Sequence, residues 1–142
     1  MNKEIKFRVW NKELKRMLDY NDIYSVITLG GEIFTLNITN SSETVLSYDR
    51  IDKSDNLILM QFTGLLDKNG IEIYEGDIGK FVFYPAEIEQ GTQTAIEEVI
   101  FKDGQFGIKK ANSIIGFSAI MNTEKDFEVI GNVCENPELW GA

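Results

Sequence analysis

The chain has 142 residues, of which 43% are apolar and 11% aromatic, and it holds no run of ten uninterrupted apolar residues. That is enough for one buried core, and it excludes both the disordered and the helix-spanning membrane classes. Fourteen basic against 23 acidic side chains give a net charge of −9, there is no histidine, and Cys134 is the one cysteine. A disulfide framework, structural zinc and histidine-dependent nucleophilic catalysis are thereby excluded.

The charge is unevenly placed. Residues 1 to 71 carry 9 basic and 10 acidic groups, residues 72 to 142 carry 5 and 13, and the first 16 residues reverse the balance with six basic against two acidic. The N-terminal stretch alternates charged and apolar residues from the start, so it has no apolar signal core, and the protein is expected to remain in the cytoplasm.

In chain order, Ile5, Phe7 and Val9 alternate with Lys6, Arg8 and Trp10, which predicts a half-buried strand over residues 4 to 10. Lys6, Arg8 and Trp10 share one face, where Trp10 can cover an adjacent strand or a partner subunit. Asn11-Lys12-Glu13 then supplies a turn into Leu14 to Leu18, giving a hairpin. Tyr24 to Leu29 and Glu32 to Ile38 are β-branched and aromatic runs around Gly30-Gly31, a second hairpin. Thr44 to Tyr48 and Leu57 to Thr63 read as strands around a charged loop, Asp49 to Asn56.

The sharpest local signal is Asp67-Lys68-Asn69-Gly70 between Leu65-Leu66 and Ile71 to Tyr74, where Gly70 suits the left-handed position that closes a tight turn. Gly76 and Gly79 bracket Asp77-Ile78 and predict a bend or bulge before a strand from Lys80 to Tyr84, which Pro85 stops. Residues 86 to 94 hold little to bury and read as a loop into a strand from Ala95 to Phe101. Asp103-Gly104 turns that strand back into Gln105 to Lys109. A short helical or irregular crossing from Ser113 to Met121 leads to a strand from Phe127 to Val133, and Asn136-Pro137 opens a final helical turn carrying Leu139 and Trp140.

Gln61-Phe-Thr-Gly-Leu-Leu-Asp-Lys-Asn-Gly-Ile-Glu-Ile-Tyr-Glu-Gly-Asp-Ile78 resembles the central signature of the YopX family, small proteins met mainly in phages and prophages of low-GC Gram-positive bacteria. Both ends resemble it too, through Lys6-Phe-Arg-Val-Trp10 with Lys12 and Met17, and through Glu128-Val-Ile-Gly-Asn132 with Glu135-Asn-Pro-Glu-Leu139. Leu14 stands where a small polar turn residue is expected, and Cys134 where an aromatic is commoner. The resemblance implies a mainly β fold in one module over residues 1–142: N-terminal β-hairpins over 1–60, and an SH3-like small β-barrel with minor helical turns over 61–142. Strands recurring at short intervals from Ile71 to Val133 agree with that barrel. The resemblance implies no established reaction and carries over no site.

The residues themselves offer few candidates for chemistry. Glu72, Glu75 and Asp77 are close in sequence and supply oxygen atoms of the kind a hard cation takes, but the turn habits of aspartate favour Asp77 bonding backbone amides at the Gly76 bend. Glu97 and Glu98 are consecutive strand residues and point to opposite faces. Cys134 has no cationic neighbour and reads as a small core residue. No phosphate loop is present, because Gly30-Gly31 lies between two strands. An enzyme is therefore not expected, nor any metal or cofactor.

Lys6, Arg8 and Trp10 on one strand face are the candidate interface. They suit a nucleic-acid backbone in charge and in the stacking surface of Trp10, but the excess of acid opposes phosphate binding, so a protein partner is the better expectation. With the phage or prophage setting and bacterial host that the resemblance implies, the expectation is a cytoplasmic accessory protein without membrane or nucleic-acid partners. It would act through contacts with a host or phage protein and assemble as a homo-oligomer through the basic N-terminal hairpin and the acidic C-terminal half. The alternative is an acidic inhibitor that imitates nucleic acid and occupies the basic groove of a host enzyme.

Overall fold

A computed structural model describes residues 4–18, 25–27, 33–38, 48–53, 56–83, 91–110, 113–117 and 122–139. The chain divides into two compact units, Arg8–Leu59 and Met1–Phe7 with Met60–Ala142. It is mainly β. Its strands are β1 (Phe7–Asn11), β2 (Arg16–Met17), β3 (Ser25–Ile27), β4 (Ile33–Ile38), β5 (Tyr48–Lys53), β6 (Leu57–Leu66), β7 (Glu72–Tyr74), β8 (Asp77–Phe83), β9 (Gln93–Lys102), β10 (Gln105–Lys110), β11 (Ser113–Gly116) and β12 (Phe127–Asn132). One short helix, α1 (Thr123–Asp126), and a 3-10 turn, Pro137–Leu139, complete the described elements.

In the unit Arg8–Leu59, β1 and β2 form the expected hairpin, with Trp10 opposite Met17 and Asn11 opposite Arg16. The Asn11 side chain makes the turn by accepting from the Glu13 and Leu14 N–H groups, each at 2.9 Å. β3 and β4 pair as predicted, Val26 opposite Phe34, while Gly30-Gly31 lies outside the described residues. The predicted charged loop is corrected: Tyr48 to Lys53 is β5, paired antiparallel with β4 at the edge of a three-stranded sheet. The β4 ladder overrides the weak local strand propensity of this run.

The second unit holds a five-stranded antiparallel sheet in the order β11-β10-β9-β8-β12, curled into a half-barrel of the SH3-like kind. Asp103 and Gly104, with φ of 53° and 78°, form the two-residue turn between β9 and β10. Another correction concerns the predicted crossing after Ser113: residues 113–116 are strand β11, Ile115 opposite Ile108. Ser-Ile-Ile is β-branched enough to extend the sheet, and Gly116 opposite Gly107 lets the two backbones approach closely. β9 also begins at Gln93, two residues before the predicted start. Pro85, residues 86–90 and Trp140 lie outside the described residues.

Inside the half-barrel, Ile73, Phe81, Val99, Ile108, Phe117 and Phe127 form the buried core, with Phe117 meeting Phe127 edge-on at a centroid distance of 5.5 Å. The register of β12 on β8 shifts between Val129 and Gly131, so the bulge lies in β12, at Ile130, rather than at the glycines around Asp77-Ile78, and such bulges bend and twist a strand. Gly79 permits the curl, because a β-carbon there would lie within the Phe127 ring. Gly70 closes the β6–β7 turn at φ 76°, and a β-carbon there meets open space. The two glycines are thus needed for different reasons. Gly79→Ala is expected to destabilise by about 2 kcal/mol or more through overpacking, and Gly70→Ala by about 1 kcal/mol through backbone strain alone. Urea denaturation midpoints of the two variants check the order, and equal midpoints would show that Phe127 does not fill the space above Gly79.

Candidate functional site

Val9 and Trp10, consecutive and so on opposite faces of β1, are both buried, at 9% and 8% exposure, whereas Ile5 and Phe7 are exposed. A two-residue period separates two faces without saying which is covered, and at Val9 and Trp10 both are. Arg8, on the same strand, is half-buried and already engaged in interactions.

Lys6 belongs to a network in the second unit. Its Nζ donates to Glu72 Oε1 at 2.5 Å, pairs with Glu4 Oε1 at 2.8 Å and stands 5.4 Å from the centre of the Phe62 ring. Tyr74 donates from its hydroxyl to Glu72 Oε2 at 2.8 Å and packs its ring on Phe62 at 5.4 Å. The structure thus spends Lys6 on fastening residues 4–6 to β6 and β7, where the Phe62 N–H also donates to the Lys6 carbonyl. Of the candidate interface residues, Lys6 is thus bound into this network, Arg8 is half-buried and Trp10 is buried.

The acidic cluster is likewise absorbed. Asp77 is buried and its Oδ2 accepts the Tyr74 N–H at 2.7 Å, the turn role that its sequence position predicted. Among the described residues no three acidic or cysteine side chains converge as metal ligands. Burial raises Glu98 above the ordinary carboxyl range against the opposing charge of Lys109, with Glu75 adding to the rise. Cys134 is half-buried rather than a core residue, its N–H donating to Asn132 Oδ1.

Sequence reasoning missed a groove on the second unit. Between the β6–β7 pairs Phe62 opposite Tyr74 and Leu66 opposite Glu72, β6 carries two more residues than β7, and Gly64 takes φ 85° in that bulge. Thr63 holds the bulge by donating to the Ile73 carbonyl at 2.7 Å and accepting the Leu65 N–H at 3.2 Å. The extra residues push both leucines outward, 36% and 37% exposed for Leu65 and Leu66, with Ile71 exposed just beyond the turn. Two cavities share Gly64 and Leu66 of the bulge, one of about 590 Å³ lined also by Phe62, Phe106 and Glu72, and one of about 460 Å³ lined also by Phe117, Thr123 and Glu124. Gly64 followed by two consecutive leucines breaks the alternation of the strand, and that was the available signal.

With this geometry in view, the comparisons fall into place. The family model described as YopX protein matches residues 6–140. The chain belongs to the YopX family. The crystal structure of protein EF1440 from Enterococcus faecalis is similar at 27% identity and a TM-score of 0.55, over 96% of this chain and 97% of that one. The crystal structure of YopX from Bacillus subtilis is similar at 25% identity and the same TM-score, over 94% of this chain and 95% of that one. No curated protein matches this chain. Of the residues that give the YopX resemblance, Asp67, Gly70, Gly76, Asp77 and Asn132 sit at corners of the sheet.

The Lys6 network makes a pH-dependent contribution whose sign is fixed. The hydrogen bond from Lys6, and after it the one from Tyr74, hold the Glu72 carboxyl below its ordinary range. A carboxyl with a lowered folded-state pKa stabilises the fold above its unfolded value, near 4.3, and that contribution fades as pH falls through the folded value. The stability difference between the unmodified protein and Glu72→Gln should therefore be present at pH 6 and shrink below roughly pH 4. Denaturation series across that range check it, and a difference independent of pH would contradict the paired geometry.

Proposed function

We propose that this YopX-family chain is a phage- or prophage-derived accessory protein that acts in the cytoplasm of a bacterial host through contacts with other protein chains, including copies of itself, and performs no reaction of its own. The observation that carries this reading is the bulge of β6, which leaves two consecutive leucines exposed beside two cavities, while Thr63, Asp67, Glu72 and Asp77 around it bond within the fold. Exposed apolar surface collected at one place is what protein interfaces use. The acidic groups favour solubility and oppose binding to phosphate backbones, since few phosphates would be neutralised.

Light scattering on the purified protein at tens of micromolar is the direct test, and a mass above that of the 16.2 kDa chain is expected. A monomer at every concentration would contradict self-assembly. In a mobility-shift assay at physiological salt no duplex DNA should be retarded, and salt-sensitive micromolar binding would contradict the protein-contact reading. A stoichiometric complex with a host nucleic-acid enzyme that DNA displaces would replace it with the acidic-inhibitor reading.

A further inference from the structure

The β1–β2 hairpin ends in a four-residue turn, Lys12 to Lys15, with Leu14 at its tip and 55% exposed. Two N–H groups of this turn are held by the Asn11 side chain, and Lys15 is fixed at φ 53°, so the tip is a shaped protrusion. Presenting an apolar side chain on a pre-formed turn lowers the ordering cost of any contact it makes. The tip is also basic: residues 8–18 carry four basic side chains against one acidic.

The cavity beside the β6 bulge has the complementary character. Leu65 and Leu66 form its apolar lip, the buried ring of Phe117 its floor, and Asn122 with Glu124 its polar rim. Its volume of about 460 Å³ exceeds what a leucine side chain requires, leaving space for the turn that carries it. The unit that bears it, Met1–Phe7 with Met60–Ala142, holds eight basic against fifteen acidic residues. A basic protrusion with an apolar apex and an acidic unit with an apolar cavity thus occur in one and the same chain.

We infer that the tip of the β1–β2 hairpin of one chain seats Leu14 in the Leu65–Leu66–Phe117 cavity of a second copy. The inference rests on the self-assembly reading above and assigns its contact. Leu14 supplies the buried apolar centre, and Lys15 with the neighbouring cations meets the Glu124 rim. Each copy owns both halves of the contact, so two chains can exchange tips about a two-fold axis and bury the contact twice, or the same contact can close a ring.

Leu14→Asp and Leu66→Asp both change exposed positions, so circular dichroism should be unaltered, while sedimentation velocity should show self-association weakened by about tenfold or more in each. Lys15→Glu should weaken association chiefly at low salt, with Glu124→Lys in the same chain restoring it. In a Cys134→Ser background, tagged Leu14→Cys chains mixed with untagged Leu66→Cys chains should oxidise to mixed dimers in excess over either homodimer. A monomeric unmodified protein would overturn this inference together with the assembly reading. An oligomer indifferent to both aspartate substitutions, or a Leu14→Cys/Leu66→Cys chain that closes its disulfide within itself, would overturn the inference alone.

Discussion

One carboxylate ties together parts of the second unit that are far apart in sequence. Asp67 is 2% exposed, and its Oδ1 accepts the N–H groups of Asn69 at 2.8 Å and Ile71 at 2.9 Å, shaping the β6–β7 turn. Its Oδ2 accepts the Val129 N–H at 2.9 Å, across 62 residues of sequence, at the bulge of β12. The Lys68 N–H donates to the Phe127 carbonyl beside it. The turn therefore covers the outer edge of β12, which would otherwise present free backbone groups to any passing strand. It also places Phe127, the largest fully buried side chain, over Gly79 and against Phe117.

Around that point the other corners follow the same economy. The Gly76 N–H donates to the Val99 carbonyl, its own carbonyl accepts from Val133, and the Glu75 N–H donates to Gln61, so a single bend stitches β6, β9 and the end of β12. Asn132 accepts from the N–H groups of Cys134 and Glu135 and donates to the Glu135 carboxylate, closing the last strand. Buried polar groups in these places are costly unless fully bonded, and here the bonding is what directs the chain around the half-barrel. Asp67, Asp77 and Asn132 are thus structural in their effect, and the leucines of the β6 bulge are among the apolar side chains that the fold leaves exposed.

Much of this was legible in the residues. The turns at Asn11 to Lys15, Asp67 to Gly70 and Asp103-Gly104 carry side chains that stabilise turns locally, and local chemistry can be read from local sequence. The bond of Asp77 at the Gly76 bend belongs to the same class. What could not be read depended on partners distant in sequence: β5 and β11 are strands because β4 and β10 offer ladders to pair with, and β1 buries both Val9 and Trp10, on opposite faces. Lys6 looked like a free surface cation until the fold brought Glu72, 66 residues away, to its ammonium. The exposed leucines emerged only when the bulge gave β6 two residues that β7 does not match.

The measurement that bears most directly on this account is amide hydrogen exchange in Asp67→Asn. The substitution keeps one carbonyl oxygen for the turn and, by placing an NH₂ group opposite the Val129 N–H, removes the long-range bond alone. The account predicts that exchange at Val129 and along β12 accelerates and that global stability falls by roughly 2 kcal/mol, while Asn69 and Ile71 keep their protection. Unchanged protection at Val129 with unchanged stability would contradict it, because β12 would then be held without the Asp67 carboxylate.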